Sequence, residues 1–354
     1  MNDFPIIRFD LKAARDTEYR AANALSNQLR AERLPDDPPI PLDEEIRNWQ
    51  NIPPFVEVHA WSVWDAARAR VIAGGVMSFL LMNENKHLAD FNLQVLPEFR
   101  RQGIARQLLA RVVADAQDAQ RTLLVTNTHQ RVPAGEIFMH RIGASKGLEN
   151  HVNQLRIADL DRALMQAWIA RAQARAKDFE LGWWEGKFPD ADLQAIADLY
   201  NVMNTAPRDK LQMEDFRFAP EQLRQMEKSM FACGIERWTL YARKKSSHQF
   251  AGFTEVFWHA NRPAIVNQGG TGVFPQYRNL GLGRWLKAAM LEKILRERAQ
   301  VKFVRTGNAD SNAAMLKINS ELGFQPYSAD CIWQVETEKV VEYLGEKQML
   351  ETLA

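Results

Sequence analysis

One fifteen-residue stretch occurs twice in this chain. It reads Val95-Leu-Pro-Glu-Phe-Arg-Arg-Gln-Gly-Ile-Ala-Arg-Gln-Leu-Leu109, and then Val273-Phe-Pro-Gln-Tyr-Arg-Asn-Leu-Gly-Leu-Gly-Arg-Trp-Leu-Lys287, with no gap between the copies. Val95 matches Val273, Pro97 matches Pro275, Arg100 matches Arg278, Gly103 matches Gly281, Ala105 matches Gly283 and Arg106 matches Arg284. A repeat this long points to two copies of one architecture. Each copy reads as a strand end, a tight turn and a helix start. Proline stops the strand because it has no N–H for the ladder. After the glycine, Leu108, Leu109, Val112 and Val113 recur at helical spacing, as do Leu282, Trp285, Leu286, Ala289 and Met290.

The chemistry of such a turn follows from its backbone. Gly103, Ala105, Gly281 and Gly283 leave little side chain at the helix N-terminus. First-turn N–H groups lack helical partners and sit at the positive end of the helix dipole, so they suit an anion, best a pyrophosphate. Flanking arginines add charge that phosphate oxygens accept.

This strand-turn-helix resembles motif A of the GNAT superfamily of N-acetyltransferases, Arg/Gln-x-x-Gly-x-Gly/Ala, and the tandem layout is similar to that of mycothiol synthase. The resemblance implies that the turns cradle acetyl-coenzyme A as co-substrate. The expected contacts are Val273, Arg278, Asn279, Gly281, Leu282, Gly283 and Arg284 in the second copy. In the first they are Val95, Arg100, Arg101, Gln102, Gly103, Ile104, Ala105 and Arg106. Asn312 and Gly323-Phe324 resemble the family's motif B, so Asn312 is read both as a helix cap and as a group facing the coenzyme. The tyrosine acid that often serves the departing thiolate would fall four residues before the glycine. Asn319 stands there in the second copy and Met139 in the first. Tyr327, nearby in sequence, is the weak remaining candidate acid.

The 354 residues suffice for two domains of ordinary size. The expected division is 1–158 for a first GNAT-like domain, 159–178 for a linker helix with arginines on its solvent face, and 179–354 for a second. The expected class is α/β (α+β), each domain a mixed, mostly antiparallel sheet flanked by helices. A net charge of +1 argues against a nucleic-acid binder. The sequence has no apolar run long enough to span a bilayer and no signal peptide at its start, so a cytoplasmic location without membrane association is expected. Two distant cysteines and seven scattered histidines suggest no metal site. Oligomerisation is left open.

Amine acetylation needs a base, because an ammonium must lose a proton before it attacks. Glu255 is a charge within the apolar strand Phe253-Thr-Glu-Val-Phe257 and is the candidate. It either faces a cleft or is an outward, solvated strand residue. Asp90 is the matching candidate in the first copy. His259, Glu214 and Asp215 fall in the stretches expected to build the acceptor pocket, 204–219 and the strand end near Trp258. By resemblance, the second copy is the catalytic one and a backbone N–H near Val273 serves the thioester oxygen. The expected function is transfer of an acetyl group to a primary amine, on a small molecule or peptide, by direct attack in a ternary complex. The alternative is a catalytically inactive coenzyme A-binding regulatory or scaffolding protein. A Rossmann-type nucleotide binder is disfavoured by the proline before each arginine and the missing acidic residue after a following strand.

Overall fold

The computed structural model describes residues 4–352, with side chains described through residue 345. In chain order the first half contains β1 (Ile6–Arg8), α1 (Asp16–Arg33), α2 (Leu42–Gln50), β2 (Val56–Trp64), β3 (Val71–Leu80), β4 (Leu88–Val95), α3 (Ile104–Asp118), β5 (Leu123–His129), α4 (Pro133–Arg141) and β6 (Ser145–Arg156). The second half contains α5 (Arg162–Arg175), β7 (Phe179–Glu185), α6 (Leu193–Tyr200), α7 (Pro220–Ala232), β8 (Ile235–Lys244), β9 (Phe250–His259), β10 (Ile265–Val273), α8 (Leu282–Glu297), β11 (Phe303–Ala309), α9 (Ala313–Glu321), β12 (Gln325–Glu336) and α10 (Thr337–Thr352). Among the described residues, no helix is long and apolar enough to cross a membrane.

These elements form two compact units. Unit 1 comprises residues 1–149, 209–214 and 330–354, and unit 2 comprises 150–208 and 215–329. Unit 1 orders its strands β1-β2-β3-β4-β5-β12, and unit 2 orders them β7-β8-β9-β10-β11-β6. In each sheet one pair is parallel, β4 with β5 and β10 with β11. The other pairs are antiparallel. The expected mixed, mostly antiparallel class is therefore found in both units.

The closing strand of each unit comes from the other half of the sequence. Residues 330–336 pair with β5, while 150–156 pair with β11. The expected boundaries at 158 and 179 follow the repeat in the sequence, whereas compactness follows this exchange. The helix expected as a linker is α5. It packs in unit 2, where Met165, Trp168 and Ala172 join the core under α8. Its counterpart in unit 1 is α10, which follows that unit's closing strand and packs on α3. Sequence pattern identifies an amphipathic helix but not the sheet it covers.

Each core lies between the sheet and its motif helix. On α3, Ile104, Leu108, Leu109, Val112 and Val113 are buried against Ile72, Phe91 and Val335. On α8, Leu282, Leu286, Met290, Leu291 and Ile294 are buried with Val256, Val266 and Val304. Each such side chain contributes about 1.5–3 kcal/mol through burial, and together they fix the turn ahead of each helix.

Candidate active site

The two turns share one backbone path. Gly103 and Gly281, the helix N-caps, have φ of 83° and 88°. Arg101 and Asn279 also take positive φ, at 65° and 64°. This is the left-handed region, which glycine enters without strain and other residues enter at a cost. The path aims successive N–H groups into a cavity at the start of each helix.

The arginines act first as staples for the turn. Arg100 Nε donates to the Val95 carbonyl at 3.1 Å, and Arg278 Nε donates to the Val273 carbonyl at 3.0 Å. Their outer nitrogens then part ways. Arg100 makes a two-pronged pair with Glu32 at 2.8 and 2.5 Å, whereas Arg278 donates to the Thr205 hydroxyl at 2.7 Å. A carboxylate cancels charge that a hydroxyl leaves in place.

The unit 2 cavity has a volume of about 1010 Å³. Its walls are the 278–284 turn, the N-terminus of α9 and α5, with Trp168, Arg171 and Arg175 facing the space. The arginines assigned to a solvent face thus line the cavity. Arg284 pairs with Glu321 at 2.9 Å and lies 5.1 Å from the Trp168 ring centre. Asn312 caps α9, accepting the Met315 N–H at 3.3 Å, and lines the cavity. The unit 1 cavity is about 790 Å³ and is lined by the 99–106 turn, Arg33, Arg141 and Tyr343.

At its inner end the unit 2 cavity reaches Thr271, Gly272 and Val273. Here β10 carries a bulge. Gln268 pairs with Val256, but Thr271 pairs with Thr254, one residue out of step. The inserted residue turns Gln268 and Thr271 to the same face, which a regular strand would not do. Glu255 lies beside the bulge, 7% exposed. Its carboxylate accepts the Tyr200 hydroxyl at 2.6 Å and the Gly270 N–H. Burial pushes the carboxyl above its ordinary range, while the Tyr200 bond, the Arg237 charge and the Gly270 N–H hold it back. Burial also pushes the Tyr200 hydroxyl well up. Gly272 admits the 201–205 turn, since a Cβ there would lie 2.6 Å from Val202.

In unit 1, β4 keeps constant register with β3 from Ala73↔Val95 to Ser78↔Asp90. Matching rungs place Val76 where unit 2 has Glu255, and Phe91 where it has Gln268. Val76 is 38% exposed. Asp90 corresponds to Asn267; it is exposed by area, although desolvation raises its carboxyl above the ordinary range, and no bulge stands beside it.

Other sequence candidates have structural partners. Tyr327 lies with its ring 4.2 Å from the Arg305 guanidinium and is not among the residues lining the unit 2 cavity. In unit 1, Glu214 accepts the Asn85 N–H at 2.7 Å and donates its own N–H to Asn85 Oδ1 at 2.8 Å. These bonds tie the 209–214 segment to the turn at Asn85. Asp215 pairs with Arg208 at 2.6 Å. His259 accepts the Asn261 N–H at Nδ1, 3.0 Å, and its Nε2 donates to the Cys233 carbonyl, 3.1 Å, so it secures a turn. Burial pushes the Cys331 thiol up to about 11, which leaves it a poor nucleophile. Sequence reasoning missed Tyr200 and Lys287; the only hint of the latter was a lysine inside an apolar helical run.

Residues 23–136 match the family model described as the acetyltransferase (GNAT) family. No curated protein sequence matches the chain. A tandem GNAT protein from the clavulanic acid biosynthesis pathway, solved without acetyl-coenzyme A, is 24% identical with a TM-score of 0.75, covering 95% of this chain and 99% of that one. A GCN5-related N-acetyltransferase from Sphaerobacter thermophilus is 13% identical with a TM-score of 0.64, covering 94% and 96%. The GCN5-related glucosamine N-acetyltransferase region of a fungal multi-domain GH3 β-N-acetylglucosaminidase is 11% identical with a TM-score of 0.66, covering 94% of this chain and 38% of that one. These likenesses establish the fold. With its duplicated turn and two matching sheets, the chain has the fold of tandem GNAT proteins, and its residues 23–136 match the acetyltransferase (GNAT) family model.

Proposed function

We propose that the protein transfers an acetyl group from acetyl-coenzyme A to a primary amine, and that unit 2 does the chemistry. The observation that carries this reading is the buried Glu255 carboxylate beside the β10 bulge, whose Thr271 and Gly272 line the inner end of a cavity that begins with a helix N-terminus. The cavity suits the donor: first-turn N–H groups meet a pyrophosphate, and Arg171, Arg175 and Lys317 supply charge around it. Glu255 takes the proton of the substrate ammonium. The free amine attacks the thioester carbonyl, the C–N bond forms, the C–S bond breaks and the thiolate leaves. Glu255 is suited to this role because its raised pKa moves it toward the pH at which the amine must be deprotonated.

Unit 1 supports a second role. Val76, Phe91 and Met139 replace the polar groups around the bulge, which suits a half that holds the coenzyme without turning it over.

The test is Glu255→Gln with a panel of amines, following thiol release against pH. The expected result is a fall in kcat of about 100-fold at neutral pH, with the rising alkaline limb displaced. Equal kcat for variant and wild type across the pH range would remove Glu255 as the base.

A further inference from the structure

A lysine lies in the core of unit 2. Lys287 is the sixth residue after Gly281 and is 1% exposed. An ammonium or amine of this kind donates to the groups around it. Nζ donates to Asn319 Oδ1 at 2.6 Å and to Gln268 Oε1 at 3.2 Å. Both amides must therefore turn their NH2 groups away from it. Gln268 Nε2 donates to Thr254 Oγ1 at 2.9 Å and to Thr271 Oγ1 at 3.3 Å. Asn319 Nδ2 donates to Asn308 Oδ1 at 2.7 Å. Thr254 is fully buried, and its hydroxyl lies 2.7 Å from that of Thr271. Either hydroxyl can donate to the other; with Thr254 as donor, Thr271, which lines the cavity, keeps its own proton for a ligand. With its oxygen occupied, Asn308 keeps its own N–H groups for another acceptor. One residue sets the direction of both chains, and each bond polarises the next.

The two chains end on different strands. The parallel ladder of β10 and β11 stops at Gln268↔Thr306, although the strands run on to Val273 and Ala309. Thr271 and Asn308 stand past the last rung, one on each strand. We propose that Lys287 is the positioning residue of acyl transfer, orienting Thr271 O–H and Asn308 N–H so that Thr271 donates to the sulfur and Asn308 to the carbonyl oxygen of a thioester lying where the strands part. This deepens the reading of unit 2 as the acetyl-transfer site and rests on it. Negative charge forms on the carbonyl oxygen during attack and passes to sulfur as the C–S bond breaks, and fixed donors are most effective at such points. The arrangement also accounts for Asn319 standing where the family's tyrosine acid is expected. Support is local: the groups that meet Lys287 from β10 and α9 are uncharged amides, and the Phe324 ring lies 5.5 Å away. Burial alone lowers Lys287 to about 7.

The experiment reads the thiol of bound coenzyme A. Ultraviolet absorbance of its thiolate is titrated in the wild type, Lys287→Met and Thr271→Val, each against the same protein with desulfo-coenzyme A so that Cys233 and Cys331 cancel. In the wild type the bound thiol is expected to be at least tenfold more acidic than that of free coenzyme A. Both variants should lose most of that gain while binding desulfo-coenzyme A within threefold of the wild type. Thr271→Val leaves Lys287 and its amides in place, so it answers the question even where Lys287→Met fails to fold. A wild-type thiol that titrates like free coenzyme A, or variants that titrate like the wild type, would overturn the proposal. Failure of the wild type to bind either coenzyme would instead remove the acetyl-transfer reading beneath it.

Discussion

Six residues into the helix after each glycine turn, unit 1 has Leu109 and unit 2 has Lys287. Four residues before the glycine that ends the following helix, unit 1 has Met139 and unit 2 has Asn319. On the strand before the turn, Phe91 stands opposite Met77, and Gln268 stands opposite Val256. Thus three buried apolar side chains in one copy become a connected polar group in the other. Buried polar groups cost stability compared with well-packed apolar ones of similar size. Cradle geometry alone is compatible with the apolar set, as unit 1 demonstrates. The polar set therefore serves something other than the fold, and it lies beside the bulge, Glu255 and Thr271. The difference teaches that the turn geometry and the polar group beneath it are separable layers of this architecture.

The largest effect expected from probing this contrast comes from the turns themselves. Gly281→Glu places a side chain at φ 88° and a carboxylate where an anion binds, so amine acetylation should fall at least 100-fold. Gly103→Glu should leave turnover within threefold while abolishing one calorimetric binding event. If Gly103→Glu silenced turnover instead, the catalytic roles of the two units would be reversed.

Next is stability. Leu109→Lys would bring a charge among Phe91, Met139 and their neighbours, with none of the amides that receive Lys287. A loss of about 3 kcal/mol or more is expected in denaturant unfolding. A loss below about 1 kcal/mol would mean that the lysine reaches solvent, and that the unit 2 amides are not what make Lys287 tolerable.

A smaller effect concerns pH. Lys287 is lowered to about 7 in the folded protein, against about 10.4 for an unfolded lysine. Between these values the unfolded chain holds the extra proton, so stability should rise with pH from about 7 toward about 10. Below about pH 7 both states are protonated and the full cost of the buried charge remains. The slope should approach 1.4 kcal/mol per pH unit, at most about that size, and should vanish in Lys287→Met. Parallel stability curves for the two proteins would contradict the titration assigned to Lys287.

The smallest effect tests the arginine pairs. Glu32→Gln releases Arg100 from its carboxylate, and the affinity of unit 1 for coenzyme A should rise about two- to fivefold at low salt, with less gain at high salt. An unchanged isotherm would mean that the Arg100 pair does not limit phosphate binding.

What was legible in the sequence is what local chemistry determines. The 88–95 strand, the proline, the left-handed glycine and the apolar stripe of each motif helix follow one another within a few residues. Glu255 was visible because a carboxylate in an apolar strand is conspicuous, although only the structure distinguishes enclosure from solvent exposure. The bulge was hidden because the repeat aligns without a gap through Val95 and Val273. The rungs below it match at a spacing of 177 residues, Leu88 to Ile265, against 178 above it. The first residues of β6 carry no strand signal, because Ser145, Lys146 and Glu149 show no apolar alternation. Lys287 was not singled out because its partners, Gln268 and Asn319, lie 19 and 32 residues away.

The exchange of closing strands bears on how the chain is made. A ribosome releases the first 149 residues early, yet the strand that completes their sheet arrives only with residues 330–336. Until then β5 presents an open edge, of the kind that invites unwanted pairing. Unit 2 meets no such delay, because 150–156 emerge before the rest of it. The second half of the gene can therefore finish folding first, reversing the usual order of synthesis. The gene also cannot be divided at its repeat without leaving each product short of a strand.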